Sequence, residues 1–396
     1  MLEITNLRQG AILNHNHGQE SGKCLKVRLE GISDSGYPVK VNGVPAKMDG
    51  RCFSADIELT QQFNDVKASV LTPFGTYSQD ITLVWDKCSF KRVNFYIDDH
   101  SFFFTDLAKE RPAHAFDHFY LKHLKKLHDL YGLKVALNCF YSNDHADGFC
   151  MSEMPDIWKQ EFIDNSDWLK FTLHAPSEFP DRPWIESNAE ELVKYFNLLK
   201  KEVTRWAGEQ SYAAPNILHW GNIHPTVAQA LFECGCRAYT GSMIPCVMGG
   251  PSLADRQKGG SMAEVEKRSL SGEDRGITSE GIQLHYEVPE RNSYVKNHCA
   301  RYMPELGIYL YTNMACLNLV PLKEVLPVIS GALKRYAATG TEVCNYLSHE
   351  QYSFPYYSNY EPDHLERLEV AAKYLHEQGY RYVFFNEGLL GNTAWG

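Results

Sequence analysis

The chain has no apolar run approaching the ~20 residues needed to cross a bilayer, and it has no Cys-x-x-Cys pair. Its 11 cysteines are scattered and odd in number, with Cys234 and Cys236 separated by one residue. That usage disfavours a zinc knuckle and points to thiols kept reduced. A surplus of positive charge is also missing: 39 Lys and Arg face 49 Asp and Glu, for a net charge of −10 and a pI near 5.9. Phosphate backbones and acidic lipids repel such a surface, so neither nucleic acid nor membrane is expected as a partner. The opening Met1-Leu-Glu-Ile-Thr-Asn6 lacks the basic and apolar stretches of a secretory signal, which makes the cytoplasm the expected compartment. An exported protein whose signal had been trimmed would read the same way.

What is present is the composition of a globular protein, 44% hydrophobic and 22% charged over 396 residues. A chain of that length is expected to divide into a large and a smaller domain. Residues 1–88 carry short alternating runs, such as Leu25-Lys26-Val27-Arg28-Leu29 and Ile81-Thr82-Leu83-Val84, with turn signals at Asn42-Gly43 and Asp49-Gly50. Alternation with such turns predicts an all-β, Ig-like sandwich.

From residue 89 onward, strands alternate with amphipathic helices. Strands are expected at Val93–Ile97, Lys134–Phe140, Leu169–His174, Asn216–Trp220, Arg237–Thr240, Gly307–Thr312, Glu342–Ser348 and Arg381–Phe385. Helices are expected at Phe116–Tyr131, Ala189–Trp206 behind a Ser187…Glu190 capping box, Pro225–Cys234, Leu322–Ala337 and Pro362–Gln378. Seven or eight such units over residues 89–396 predict an α/β fold, a distorted TIM-like (β/α)7-8 barrel, with an open doubly wound sheet as the alternative. The Gly- and Ser-rich stretch at about 242–303 interrupts the rhythm and is expected to be an insertion over one face.

Barrels of this kind place their chemistry at the C-terminal ends of the strands. Here those positions deliver Asp98-Asp99-His100, then His174, then His219, then His349-Glu350. Asp and neutral His suit zinc and related divalent ions. Asp99, His174 and Glu178 are the candidate metal ligands, the last because His174 and Glu178 would share one face of a helical turn. Asp98, adjacent to Asp99 and expected to point elsewhere, is the natural general base. The expected cofactor is a divalent ion, with Zn ahead of Mn, Fe, Co or Ni.

At these residues the chain resembles the NodB-homology polysaccharide deacetylases. Ile97-Asp98-Asp99-His100 resembles their Thr-Phe-Asp-Asp-Gly motif, and His174 through Glu178 resembles their His-x-x-x-His motif with Glu in the second place. His219-Trp220-Gly221 resembles their Arg-x-Pro-Tyr-Gly segment without the Arg, and Tyr346-Leu347-Ser348-His349 resembles their late Leu-Leu-His motif. The order of the four segments matches over residues 92–385, and their letters match in part. The resemblance implies a divergent bacterial branch with an N-terminal sandwich, in which Asp98 is the base, Asp99 and His174 bind metal, His349 is the general acid, and His219 stands where an Arg would orient Asp98. The implied reaction is removal of an acyl group from a poly- or oligosaccharide, with Trp220, Glu350 and Tyr352 as candidate substrate contacts.

Two readings of other classes stand beside it. One is a non-catalytic carbohydrate-binding or scaffold protein on a degenerate deacetylase fold. The other is a glycoside hydrolase using Glu178 and Glu350 as paired carboxylates, which would stand ~5–9.5 Å apart across a cleft. The remaining histidines have plainer expectations. His15 and His17 read as loop residues, His100 as support for the turn, and His118, His123 and His128 as solvated helix surface. His224, His285 and His298 fall outside the site. Oligomeric state is not legible.

Overall fold

A computed structural model describes residues 1–243 and 289–396, except 147, 181 and 186, together with 277–278 and 281–282. Most of the expected insertion at 242–303, and His285 within it, therefore lies outside the described residues.

The first 85 residues form two five-stranded sheets, one ordered β1 (Leu2–Ile4), β4 (Leu25–Ser33), β8 (Cys52–Leu59), β7 (Lys47–Asp49), with β3 (Gln19–Glu20) on β4. The other runs β2 (Ile12–Leu13), β10 (Gly75–Trp85), β9 (Phe63–Thr72), β5 (Val39–Val41), β6 (Val44–Pro45). In β4 the alternation works as written: Leu25, Val27 and Leu29 are buried while Lys26, Arg28 and Glu30 face water. The inward sets of both sheets meet in one apolar cluster that includes Val27, Phe53, Val70, Ile81 and Trp85. Asn42-Gly43 closes the two-residue hairpin between β5 and β6 with φ of 48° and 80°, the backbone that such a turn requires and Asn and Gly tolerate.

The rest of the chain is mixed α/β. A parallel sheet runs β13 (Leu169–Ala175), β12 (Val135–Phe140), β11 (Arg92–His100), β21 (Val343–His349), with β22 (Arg381–Tyr382) also on β11. A separate three-stranded sheet holds β15 (Ala238–Thr240), β20 (Ile308–Tyr311) and β19 (Ala300–Met303). Among the described residues these sheets do not join into a closed barrel. The expected strand at Asn216–Trp220 is not formed, because the backbone turns over at Trp220 and Gly221, both with φ of 66°.

The helices pack on these strands. α2 (Phe119–Tyr131) buries Leu121, Leu124 and Leu127 and ends where Gly132 takes a left-handed turn. α4 (Ala189–Ala207) is capped one residue later than its sequence suggests: Asn188 accepts from Glu191 N–H at 3.0 Å, and Ser187 Oγ donates to the Glu191 carboxylate at 2.7 Å. α1 (Phe102–Glu110) is not among the expected helices, and Ser101 at its start makes no side-chain cap bond. No described helix is long and apolar enough to cross a membrane.

The two regions are tied at their junction. Arg92 and Asp86 form a buried ion pair at 3.0 Å, Asn392 donates to Asp86 at 2.8 Å, and the Trp395 indole donates to the Trp85 carbonyl at 2.8 Å.

Candidate metal centre

β11 lies between β12 and β21, so the C-terminal ends of these parallel strands converge. Asp98 pairs in register with His349 on β21, and His174 stands near the end of β13. Consecutive side chains on a regular strand point to opposite faces. Here the register slips between Ile97 and His100, and Asp99 adopts φ of 64°. A non-glycine residue in that region costs about 1–3 kcal/mol and persists where the surrounding structure enforces it. The consequence is that both carboxylates flank one imidazole: Asp99 Oδ1 is 3.1 Å from His174 Nε2, and Asp98 Oδ1 is 4.0 Å from His174 Nδ1. Asp98 thus approaches the other nitrogen of that ring and stands outside the group of ligand atoms around Asp99.

The third member of the group is His219. Its Nδ1 lies 3.2 Å from His174 Nε2 and 3.4 Å from Asp99 Oδ1. With metal–ligand bonds of about 2.0–2.1 Å, ligand atoms around a tetrahedral ion stand about 3.3 Å apart. The three separations fit that spacing, and all three residues are buried. Asp99 Oδ1 has no hydrogen-bond partner despite its short approaches to the two rings. A buried carboxylate oxygen without a partner is a costly arrangement that a cation would resolve.

The electrostatics suit ligation. Burial lowers His174 to about 4, leaving the neutral imidazole that metals bind. Burial alone would raise the Asp99 carboxyl, but His174 and His219, with His349 beyond them, hold it well below its ordinary value. Asp98 goes the other way, pushed well up by burial and by the Asp99 charge, while Asn138 Nδ2 donates to it at 2.7 Å. His349 is lowered by burial; its Nδ1 is 2.9 Å from Asn318 Oδ1 and its Nε2 is 4.0 Å from Asp99 Oδ2.

Glu178 is not in this group. β13 continues through His174 to Ala175 and the chain then bends, so no helical turn places His174 and Glu178 on one face. Glu178 is instead buried with its Oε2 2.5 Å from His145 Nε2 and accepting from Gln351 Nε2 at 2.8 Å. That hydrogen bond raises the pKa of His145. His145 escaped the sequence reading, although Asn143-Asp144-His145 follows β12 as closely as the other polar strand ends follow theirs.

Glu350 is likewise placed elsewhere. It is 0% exposed, and its carboxylate accepts the backbone N–H groups of Ser101, Phe102 and Phe103 at 2.8, 2.9 and 2.7 Å. It is the cap that α1 lacks locally, a carboxylate on orphan donors at a helix N-terminus. Burial pushes its pKa up to about 8 against the pull of those donors. Committed in this way, Glu350 has no oxygen facing a substrate, either as a contact or as half of a carboxylate pair. Tyr352 is also buried, edge-on to Tyr357 at 5.4 Å and 6.2 Å from the His349 ring. Trp220 is half-buried beside His219, with the Arg182 guanidinium 5.0 Å from its ring.

Among the other histidines, His100 is buried between the Tyr120 hydroxyl at 2.9 Å and the Asn138 carbonyl at 3.3 Å, supporting the turn. His118 is buried against Phe354 rather than solvated, and His128 is partly buried, stacked on Trp168. His224 caps α5 (Pro225–Glu233), His298 bonds the Tyr294 carbonyl, and His17 bonds Asn14.

No family model matches the chain, and no curated protein does. The reading of the centre therefore rests on its geometry.

Proposed function

We propose that the protein is a metal-dependent hydrolase of the polysaccharide-deacetylase type, built as an Ig-like sandwich ahead of a distorted β/α barrel. The reaction is removal of an N- or O-acyl group from a poly- or oligosaccharide. One observation carries the reading: Asp99, His174 and His219 converge at 3.1–3.4 Å, with Asp98 and His349 on either side.

The mixed oxygen and imidazole donors fit zinc first, and Mn, Fe, Co or Ni after it. Such an ion supplies Lewis acidity toward a carbonyl oxygen and makes water more acidic. The chain supplies the proton transfers. Asp98, oriented by Asn138, takes a proton from the water whose oxygen joins the acyl carbon. His349, its Nδ1 held against Asn318 Oδ1, passes the proton that Asp98 has taken, through Nε2, to the departing amine or alcohol oxygen as its bond to the acyl carbon breaks. Trp220 flanks the centre and offers an aromatic face to a sugar ring.

A non-catalytic carbohydrate-binding role is the second reading, favoured by the burial of Asp98, Asp99, His174 and His219, none more than 3% exposed. Acetate release from acetylated chito-oligosaccharides and acetylated xylan, with zinc supplied, separates the two. The hydrolase releases acetate and Asp98→Asn does not. If wild-type protein with bound metal retains these glycans and releases no acetate from any of them, the hydrolase reading fails.

A further inference from the structure

Three segments meet at the C-terminal ends of the parallel strands, one following β12, one β13 and one β21. Glu178, in the second, ties them together: its Oε2 stands 2.5 Å from His145 Nε2 in the first and accepts from Gln351 Nε2 in the third at 2.8 Å. β12 and β21 flank β11, so this junction lies at the same end of the sheet as Asp98 and Asp99. The bond to Glu178 raises the His145 pKa and the Asp99 charge adds to it, which puts His145 within electrostatic reach of the metal centre.

Glu178 is buried, but the groups around it are open to solvent. The His145 side chain is 33% exposed, and Asp144 beside it is exposed. His145 commits Nε2 to Glu178, and Asp144 commits Oδ2 to the Phe179 N–H at 2.9 Å. His145 Nδ1 and Asp144 Oδ1 have no hydrogen-bond partner among the described residues. Phe179 is 51% exposed, and its ring centroid is 6.3 Å from that of His145.

An imidazole nitrogen pairs with a hydroxyl in either protonation state, donating when charged and accepting when neutral. A carboxylate oxygen beside it accepts from a second hydroxyl, and an exposed aromatic ring takes the C–H face of a sugar. Two carboxylates, Asp144 and Glu178, against one imidazole disfavour an anionic ligand. We propose that His145, Asp144 and Phe179 form an outer subsite for an uncharged sugar ring of the glycan whose acyl group is removed at the metal centre. The subsite rests on the proposed function for that glycan and narrows its class: a chain of uncharged sugars with at least one ring beyond the acylated one.

Titration calorimetry with acetylated chito-tetraose, acetylated xylotetraose and, as an anionic probe, acetylated tetragalacturonate tests it on the zinc-loaded chain carrying Asp98→Asn, which holds acetate release off. Adding His145→Ala, or Phe179→Ala at an exposed position whose change leaves the fold intact, should weaken binding of a neutral tetrasaccharide by about tenfold or more. With Asp98 restored, each should raise KM by a similar factor and leave kcat within about threefold. The proposal is overturned if neither neutral tetrasaccharide binds, if both variants bind like the parent, if tetragalacturonate binds tightest, or if the variants lower kcat with KM unchanged. Weakened binding in both variants, without acetate release once Asp98 is restored, keeps the subsite and removes the hydrolase reading. Acetate release with KM unchanged in both variants keeps that reading and removes the subsite.

Discussion

His219 Nδ1 stands 3.2 Å from His174 Nε2, a contact between residues 45 positions apart that completes a three-atom cluster with Asp99. The chain turns at Trp220 with φ of 66°, immediately after His219 has entered the cluster.

The first prediction separates His219 from Glu178. His219→Ala should weaken zinc binding by at least about 100-fold, whereas Glu178→Gln, whose carboxylate serves His145 and Gln351, should change it by less than about threefold. Competition against a fluorescent zinc chelator reads both. Equal losses in the two variants would restore Glu178 as a ligand and contradict the geometry.

Glu350→Gln tests the cap on α1. The substitution keeps the shape but replaces a carboxylate accepting three backbone N–H groups by an amide with one acceptor oxygen. A loss of about 2–4 kcal/mol is expected in urea unfolding at a pH above the Glu350 pKa of about 8, where the group is ionised. Because α1 follows directly on the Asp98-Asp99 bulge, metal affinity should fall with it. A variant as stable as wild type would show that the cap is dispensable.

Acid sensitivity follows from His364, which lies between the Ser348 and Ser353 hydroxyls and which burial lowers to about 3. The unfolded chain takes up a proton there near pH 6.5 and the folded one does not, so stability is full above pH 6.5 and falls as the pH drops toward 3. The expected loss is about 1.4 kcal/mol per pH unit through that window. His364→Asn should be less stable at pH 7.5 and should show a shallower decline from pH 6.5 to 5 in thermal melts. A decline as steep as that of wild type would remove His364 as a source.

Much of this architecture is legible where a signal is local. The Leu25–Leu29 alternation, the Asn42-Gly43 turn and the apolar stripe of α2 each act within a few residues, and each forms as written. The strand ends that carry Asp98, Asp99, His174 and His349 are legible for the same reason. What sequence does not carry is partnership at a distance. α1 has no local cap because its cap is 248 positions away from Phe102. Glu178 reads as a ligand only if His174 begins a helical turn, and β13 continues past it instead. His145 gains its role only once the fold brings Glu178 to it. The expected strand at Asn216–Trp220 is not formed, because a backbone angle at Trp220 that the residue types do not announce turns the chain there.

Asp99, His174 and His219 would together hold one divalent ion. The most direct test is metal content by inductively coupled plasma mass spectrometry, after zinc loading and removal of excess, on wild type and on Asp99→Ala. About one zinc per chain in wild type and almost none in the variant is the predicted result. A wild-type protein that retains no zinc, or an Asp99→Ala variant that retains as much as wild type, would contradict it.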